Sequence, residues 1–89
     1  MKKITFSPTF HKKLTTLKKH DTKLFEKIEK QFHTFSLDPR HHSLRLHKLK
    51  GNLKNVWSIS VTMDFRLIFI DNENYYFFEM GTHDEVYKR

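Results

Sequence analysis

The sequence predicts an α+β domain in which an N-terminal helical hairpin packs on a twisted, mainly antiparallel sheet of four to five strands. In residues 8–37, apolar side chains recur at helical spacing in two stripes, separated by a break at His20-Asp21-Thr22. In residues 54–87, apolar residues instead alternate with polar ones or form short aromatic runs, which is typical of strands. The predicted order is β-α-α-β-β-β-β with a short helical turn at the end, in a single domain of residues 1–89.

The helical hairpin has clear boundaries in the sequence. A short strand is expected at Lys2 to Phe6, and Ser7-Pro8 then starts the first helix, because serine caps a helix and proline suits its first position. Asp21 or Thr22 can cap the second helix, which ends at Asp38-Pro39 because a residue before proline avoids the helical region. The apolar stripes are Phe10, Leu14 and Leu17, then Leu24, Phe25, Ile28, Phe32 and Phe35.

Four further strands follow: Leu44 to Leu49, Trp57 to Met63, Phe65 to Ile70 and Tyr75 to Met80. Turns at Gly51-Asn52 and Asn72-Glu73-Asn74 separate them, and Gly81 is expected to end the last. The strand Phe65 to Ile70 is apolar on both faces except at Arg66, as in a central strand that is covered on both sides. A guanidinium there is costly unless it faces a groove or a partner. An ion pair of Arg66 with Glu79 or Asp64 is one explanation, and a position that faces a groove or a partner is the other.

The charge is unevenly distributed. Net charge is +7, with 13 Lys/Arg against 4 Asp/Glu in residues 1–50 and 4 against 6 in residues 51–89. A basic helical half indicates RNA, DNA or an acidic protein as partner, although a merely solubilising surface is the alternative. The chain has no cysteine, no apolar run of membrane-spanning length and no signal-like start, so a cytoplasmic location and no membrane partner are expected.

Three segments carry a resemblance to a known family: Leu46-His47-Lys48-Leu49-Lys50-Gly51, Met63-Asp64-Phe65-Arg66-Leu67-Ile68-Phe69 and Gly81-Thr82-His83-Asp84-Glu85-Val86-Tyr87. With the lysine-rich hairpin before them, they resemble the RelE/ParE superfamily of bacterial toxins from toxin–antitoxin pairs, nearest the RelE and YafQ-like ribonuclease branch. The resemblance covers essentially the whole chain. It implies a type II toxin that cleaves mRNA on the ribosome by attack of a ribose 2′-hydroxyl on the adjacent phosphate. It also implies a cognate antitoxin partner, contact with operator DNA only through that antitoxin, and no metal or other cofactor.

The resemblance assigns roles by position. His47 and Asp64 match functional residues of YafQ-like relatives, His83 their C-terminal histidine and Tyr87 their C-terminal aromatic residue. Arg66 resembles the strand arginine that holds phosphate in RelE-like members, and Lys48 and Lys50 lie near lysines used on the scissile backbone. Lys54 and Arg45 join them as RNA-binding candidates, since a cationic cluster suits a groove that follows a phosphate backbone. Ser58 and Ser60 depart from the YafQ pattern, where Asp and His are usual.

Each candidate also has a structural interpretation. His83 can be a turn residue, Tyr87 a packing residue, Asp64 the shaper of the turn before its strand, and His47 an exposed strand residue. At the level of the whole protein, a ParE-like binder of DNA gyrase without ribonuclease activity is the main alternative. A basic binding module with a decayed nuclease site, suggested by Ser58 and Ser60, is a third.

Overall fold

The structure of the protein is a computed structural model that describes residues 2–49 and 54–87. Its elements in chain order are β1 (Ile4–Phe6), α1 (Pro8–His20), α2 (Thr22–Leu37), a 3₁₀ turn (His42–Leu44), β2 (His47–Lys48), β3 (Val56–Ser60), β4 (Phe65–Asp71), β5 (Tyr75–Thr82) and α3 (His83–Tyr87). The predicted order of elements is confirmed. None of the helices in these two ranges is long and apolar enough to cross a membrane.

The five strands form one sheet in the order β1-β5-β4-β3-β2. β1 runs parallel to β5, and every other neighbouring pair is antiparallel. β4 is therefore the central strand, as its apolar composition predicts. The predicted mainly antiparallel sheet is confirmed at five strands.

The helix boundaries follow the predicted caps. The Ser7 hydroxyl accepts a hydrogen bond from the Phe10 N–H at 3.0 Å, and Pro8 is the first residue of α1. Asp21 ends α1 and caps α2, where its carboxylate accepts from the Leu24 N–H at 3.2 Å. Each cap satisfies a backbone donor that the first helical turn leaves without a partner.

The core lies between the helical hairpin and one face of the sheet. Phe77 of β5 is at its centre and is fully buried. Its ring contacts five others, with centroids 4.8 Å away for Phe32 and Phe69, 5.6 Å for Phe35, 5.9 Å for Phe10 and 6.4 Å for Phe6. Large rings thus fill a core that an 89-residue chain has few side chains to build.

Three predicted strand limits are wrong. The strand predicted at residues 44–49 is reduced to His47–Lys48, because residues 42–44 form the 3₁₀ turn and Leu44 is buried in the core. The strand predicted at residues 57–63 ends at Ser60, where hydrogen bonds within residues 60–65 turn the chain. The predicted Gly51-Asn52 turn lies outside the described residues.

The third error is at Gly81, which lies inside β5 and does not end it. A Cβ atom at Gly81 would be 3.0 Å from Glu85 Oε1 and 3.1 Å from Glu85 Cβ, closer than side chains normally approach. Glycine is needed there because α3 folds back against the end of β5.

Candidate active site

Strand pairing places Arg66 on the face of the sheet that is turned away from α1 and α2. Leu67 pairs with Ile59 and Met80, and all three belong to the core cluster beneath the helices. Since successive side chains of a strand point to opposite faces, Arg66 points away from that cluster. We call this second side the open face. The guanidinium is therefore not sealed beneath the hairpin.

Arg66 lies in a row of paired residues across three strands, with Ser60 of β3 on one side and Gly81 of β5 on the other. The residue is half-buried, and its Nε and Nη1 atoms are shielded from solvent. Glu85 and Val86 of α3 pack over Gly81 beside it. A guanidinium in such a partly desolvated position interacts with a phosphate more strongly than one in bulk water.

His83 and Asp64 are neighbours at the same end of the sheet. The His83 N–H donates to the Asp64 carbonyl oxygen at 2.8 Å, which extends the β4–β5 ladder past the pair Phe65 and Thr82. His83 comes two residues after Gly81, the partner of Arg66 in β5, and Asp64 comes two residues before Arg66. Both residues are exposed. The backbone thus brings a histidine and an aspartate to the end of the sheet near Arg66, and these are residue types that can transfer protons at a phosphate.

A capping box fixes His83 as the first residue of α3. The Glu85 carboxylate accepts from the Thr82 N–H at 2.7 Å, and the Thr82 hydroxyl accepts from the Glu85 N–H at 3.3 Å. Hydrogen bonds from the Thr82 backbone N–H and from the Thr82 side chain to the carboxylate lower the pKa of Glu85 below its ordinary value. Sequence reasoning missed this role of Thr82 and Glu85, although the spacing Thr-x-x-Glu is the signature of such a box.

His47 shares the open face with Arg66 but is farther from it than His83. It pairs with Ser58, which pairs with Ile68, so two strand spacings, about 10 Å, separate His47 from β4. Ser58 is fully buried, and Ser60 is nearly so, with its hydroxyl donating to the Thr62 carbonyl oxygen at 2.6 Å. Where YafQ-like relatives usually have Asp and His, this chain has two small buried side chains.

The basic candidates are not all brought to this site. Lys48 pairs with Trp57 on the helix side, and its Nζ is 5.8 Å from the centre of the Trp57 ring. Lys54 precedes β3 at the opposite end of the sheet, six residues or about 20 Å of extended chain from Ser60. Lys50 lies outside the described residues.

Arg45 and Tyr87 lie at the end of the sheet that carries Arg66. Arg45 has a left-handed backbone (φ 46°) and follows the 3₁₀ turn, while Gln31 of α2 donates to the carbonyl oxygens of Ser43 and Ser60 and so joins that turn to the end of β3. Tyr87 is the last residue of α3. Within the described ranges, no group of three or more His, Asp or Glu side chains is placed to hold a metal ion.

The architecture is similar to that of toxins whose structures are solved. Solved structures similar to this chain include a YoeB/ParE toxin from Agrobacterium tumefaciens, with a TM-score of 0.76 and 17% identity over 91% of this chain and 98% of that one. YafQ from E. coli strain BL21(DE3) gives a TM-score of 0.69 and 20% identity, covering 98% of this chain and 99% of the other. The chain therefore has the fold of the YoeB and YafQ toxins, and the predicted RelE/ParE resemblance is confirmed at the level of the fold.

Several of the similar structures contain a second protein. In the YoeB–YefM complex from Staphylococcus aureus, the match has a TM-score of 0.69 and 23% identity, covering 93% of this chain and 98% of the other. In the E. coli DinJ–YafQ complex, the TM-score is 0.70 and the identity 20%, with coverages of 98% and 99%. A scan against protein-family models and a search of curated protein sequences gave no match.

Proposed function

We propose that this protein is the toxin of a type II toxin–antitoxin system and acts as a metal-independent endoribonuclease on mRNA at the ribosome. One observation carries the proposal: the pairing of β4 with β5 brings Arg66, Asp64 and His83 to one end of the open face. The YoeB and YafQ neighbours support it, since they include a YoeB/ParE toxin and the toxin–antitoxin complexes of YoeB with YefM and of YafQ with DinJ.

The chemistry that these groups suit is an internal transfer at phosphorus. The ribose 2′-oxygen attacks the adjacent phosphorus, the bond from phosphorus to the 5′-oxygen breaks, and a 2′,3′-cyclic phosphate and a 5′-hydroxyl result. A base accepts the 2′-hydroxyl proton, and an acid supplies one to the departing 5′-oxygen. His83, Asp64 and His47 are the groups that can exchange protons, while Tyr87 can donate one or stack on a base.

Arg66 would stabilise the extra negative charge that the phosphorus centre acquires in the transition state. Its planar fork can bind two phosphate oxygens at once, and its position in the central strand fixes its backbone. Arg45, Lys48, Lys50 and Lys54 would then bind the RNA backbone away from the reacting phosphate. Of the described ones, Arg45 follows the 3₁₀ turn that Gln31 joins to Ser60, the residue paired with Arg66.

The partner proposed for the free toxin is an antitoxin with an acidic segment. α1 carries Lys12, Lys13, Lys18 and Lys19 and has no acidic residue. An acidic segment lying over the helices and the open face would neutralise this charge and cover Arg66. Contact with operator DNA would come through the antitoxin.

Primer extension on cellular mRNA after brief induction tests the proposal. The wild-type chain should arrest translation and give discrete cleavage stops. Arg66→Ala and His83→Ala should each reduce cleavage by about 10²–10³-fold, the loss typical of a missing group that stabilises transition-state charge. Arg40→Ala and His33→Ala are matched controls, because both side chains are exposed on or after α2, and they should cleave like the wild type.

Two results would count against the proposal. If Arg66→Ala and His83→Ala remain fully toxic, these residues are not the site. If induction triggers a DNA-damage response and leaves mRNA intact, the ParE-like gyrase-binding function replaces the nuclease.

A further inference from the structure

Met63 is an apolar side chain held almost completely in solvent. Four large hydrophobic residues are exposed in the described part of the chain, and Met63 is the most exposed at 92%, against 69% for Leu37 and 37% for Phe6 and Tyr76. An apolar side chain this exposed gains free energy when another molecule covers it.

The turn that presents Met63 is densely hydrogen-bonded. The Thr62 hydroxyl accepts from the N–H groups of Asp64 at 3.3 Å and of Phe65 at 3.0 Å. The Phe65 carbonyl oxygen accepts from the N–H groups of Val61 at 2.9 Å and of Thr62 at 3.3 Å, and the Thr62 carbonyl oxygen accepts from the Ser60 hydroxyl at 2.6 Å. This network involves the residues on both sides of Met63, so the backbone of Met63 is fixed while its side chain extends outward.

The position of this turn relative to the candidate site gives the exposure a meaning. Met63 immediately precedes Asp64, whose carbonyl oxygen accepts the His83 N–H, and it lies three residues before Arg66. An RNA strand with a phosphate at Arg66 has its neighbouring bases within a few ångströms of that phosphate. Met63 is the exposed large hydrophobic residue beside Asp64 and His83 that could cover one of these bases, since Phe6 and Tyr76 lie where β1 pairs with the first residues of β5, and Leu37 ends α2.

We propose that Met63 is a substrate-contacting residue that packs against the face of a nucleobase next to the scissile phosphate; this rests on the proposed ribonuclease function. Unstacked bases of single-stranded RNA are commonly bound on flat or apolar side chains, and a thioether is polarizable and contacts aromatic rings favourably. The contact has no hydrogen-bonding pattern to read, so it should favour purines over pyrimidines through the larger area that a purine covers.

Cleavage of ribosome-bound mRNA in a purified translation reaction, followed at increasing toxin concentration, tests the contact. Met63→Ser should raise the half-saturating toxin concentration roughly tenfold, at the lower end of what stacking of a base contributes. The rate at saturation should change little, because a contact made equally in the ground and transition states affects binding alone. Met63→Leu, which keeps an apolar side chain, should stay within about twofold of the wild type.

Leu37→Ser is the matched control, because it removes another exposed hydrophobic side chain at the end of α2. The inference is supported if Met63→Ser raises the half-saturating toxin concentration, Leu37→Ser does not, and Met63→Ser also shifts the cleavage sites away from purines. It is overturned if Met63→Ser cleaves like the wild type, or if Leu37→Ser weakens cleavage equally. In both cases the proposed function stands, because the wild type still cleaves. If the wild type cleaves no mRNA at any concentration, the proposed function and this inference both fail.

Discussion

The two faces of the sheet are built from the same strands and have opposite characters. The face under the helices carries Leu67, Phe69 and Phe77, all buried in the core cluster. The open face carries Arg66 with Ser58 and Ser60 beside it, and His47 at its edge. Because successive side chains of a strand point to opposite faces, a residue of the core and a residue of the candidate site can be direct neighbours in the sequence. We expect substitution of the buried rings on the helix face to unfold the protein, and substitution of the half-buried Arg66 on the open face to remove activity without unfolding it.

The largest effect is expected at Phe77. Phe77→Ala should lower the free energy of unfolding by about 3–5 kcal/mol, because it removes a fully buried ring that contacts five other rings. That is a large part of the total stability of a small domain, about 5–15 kcal/mol. Urea denaturation followed by far-UV circular dichroism measures it.

Tyr76→Ala is the control on the neighbouring residue. Tyr76 precedes Phe77 in β5, points to the other face and is 37% exposed, so it should cost less than half as much. Equal losses for the two variants would show that the faces do not differ in the way the strand pairing indicates.

The features that the sequence predicts well are those that depend on neighbouring residues. Ser7, before Pro8, and Asp21 each accept a capping hydrogen bond from an N–H group three residues later. The apolar composition of β4 itself predicts its central position. His47 and Lys48 show where this limit lies. The sequence places both in one basic segment, but the pairing with β3 sends His47 to the open face and Lys48 towards Trp57. No local pattern fixes that register.

The shortened second strand has a similar non-local cause. Gln31 of α2 donates to the carbonyl oxygens of Ser43 and Ser60, which are 12 and 29 residues away along the chain. A polar residue within an apolar helical stripe gives no indication of which carbonyl groups it will meet. The placement of Arg45 next to the open face therefore could not be predicted from the sequence, whereas the juxtaposition of Asp64, Arg66 and His83 follows from one hairpin.

An intermediate effect on stability is expected at Gln31. Gln31→Leu should lower the free energy of unfolding by about 1–3 kcal/mol, because two backbone carbonyl groups in a largely buried region lose their donor. Thermal denaturation should show a lower Tm, and hydrogen exchange should speed up in residues 42–48, which the glutamine joins to α2 and β3.

Lys27→Leu is the control: it also replaces a polar side chain of α2 with leucine, but at an exposed position, and should leave Tm nearly unchanged. If Gln31→Leu is as stable as the wild type, the two hydrogen bonds contribute nothing beyond those that water would make.

The smallest effect on the stability of the fold is expected from protonation of Glu85, which holds α3 to the end of β5. Hydrogen bonds from Thr82 lower the pKa of Glu85 below its ordinary 4.5, so the charged cap stabilises the fold above that pH and is lost as the pH falls through the lowered pKa. In NMR titrations, the Thr82 amide shift should follow the Glu85 carboxyl with a midpoint below 4.5.

Glu85→Gln keeps an acceptor oxygen but cannot titrate, so its Thr82 amide should not move in this range. A midpoint at or above the ordinary value would mean that the capping box does not form in solution. Because the cap is fully charged at neutral pH, any pH dependence of cleavage near pH 7 must come from groups other than Glu85.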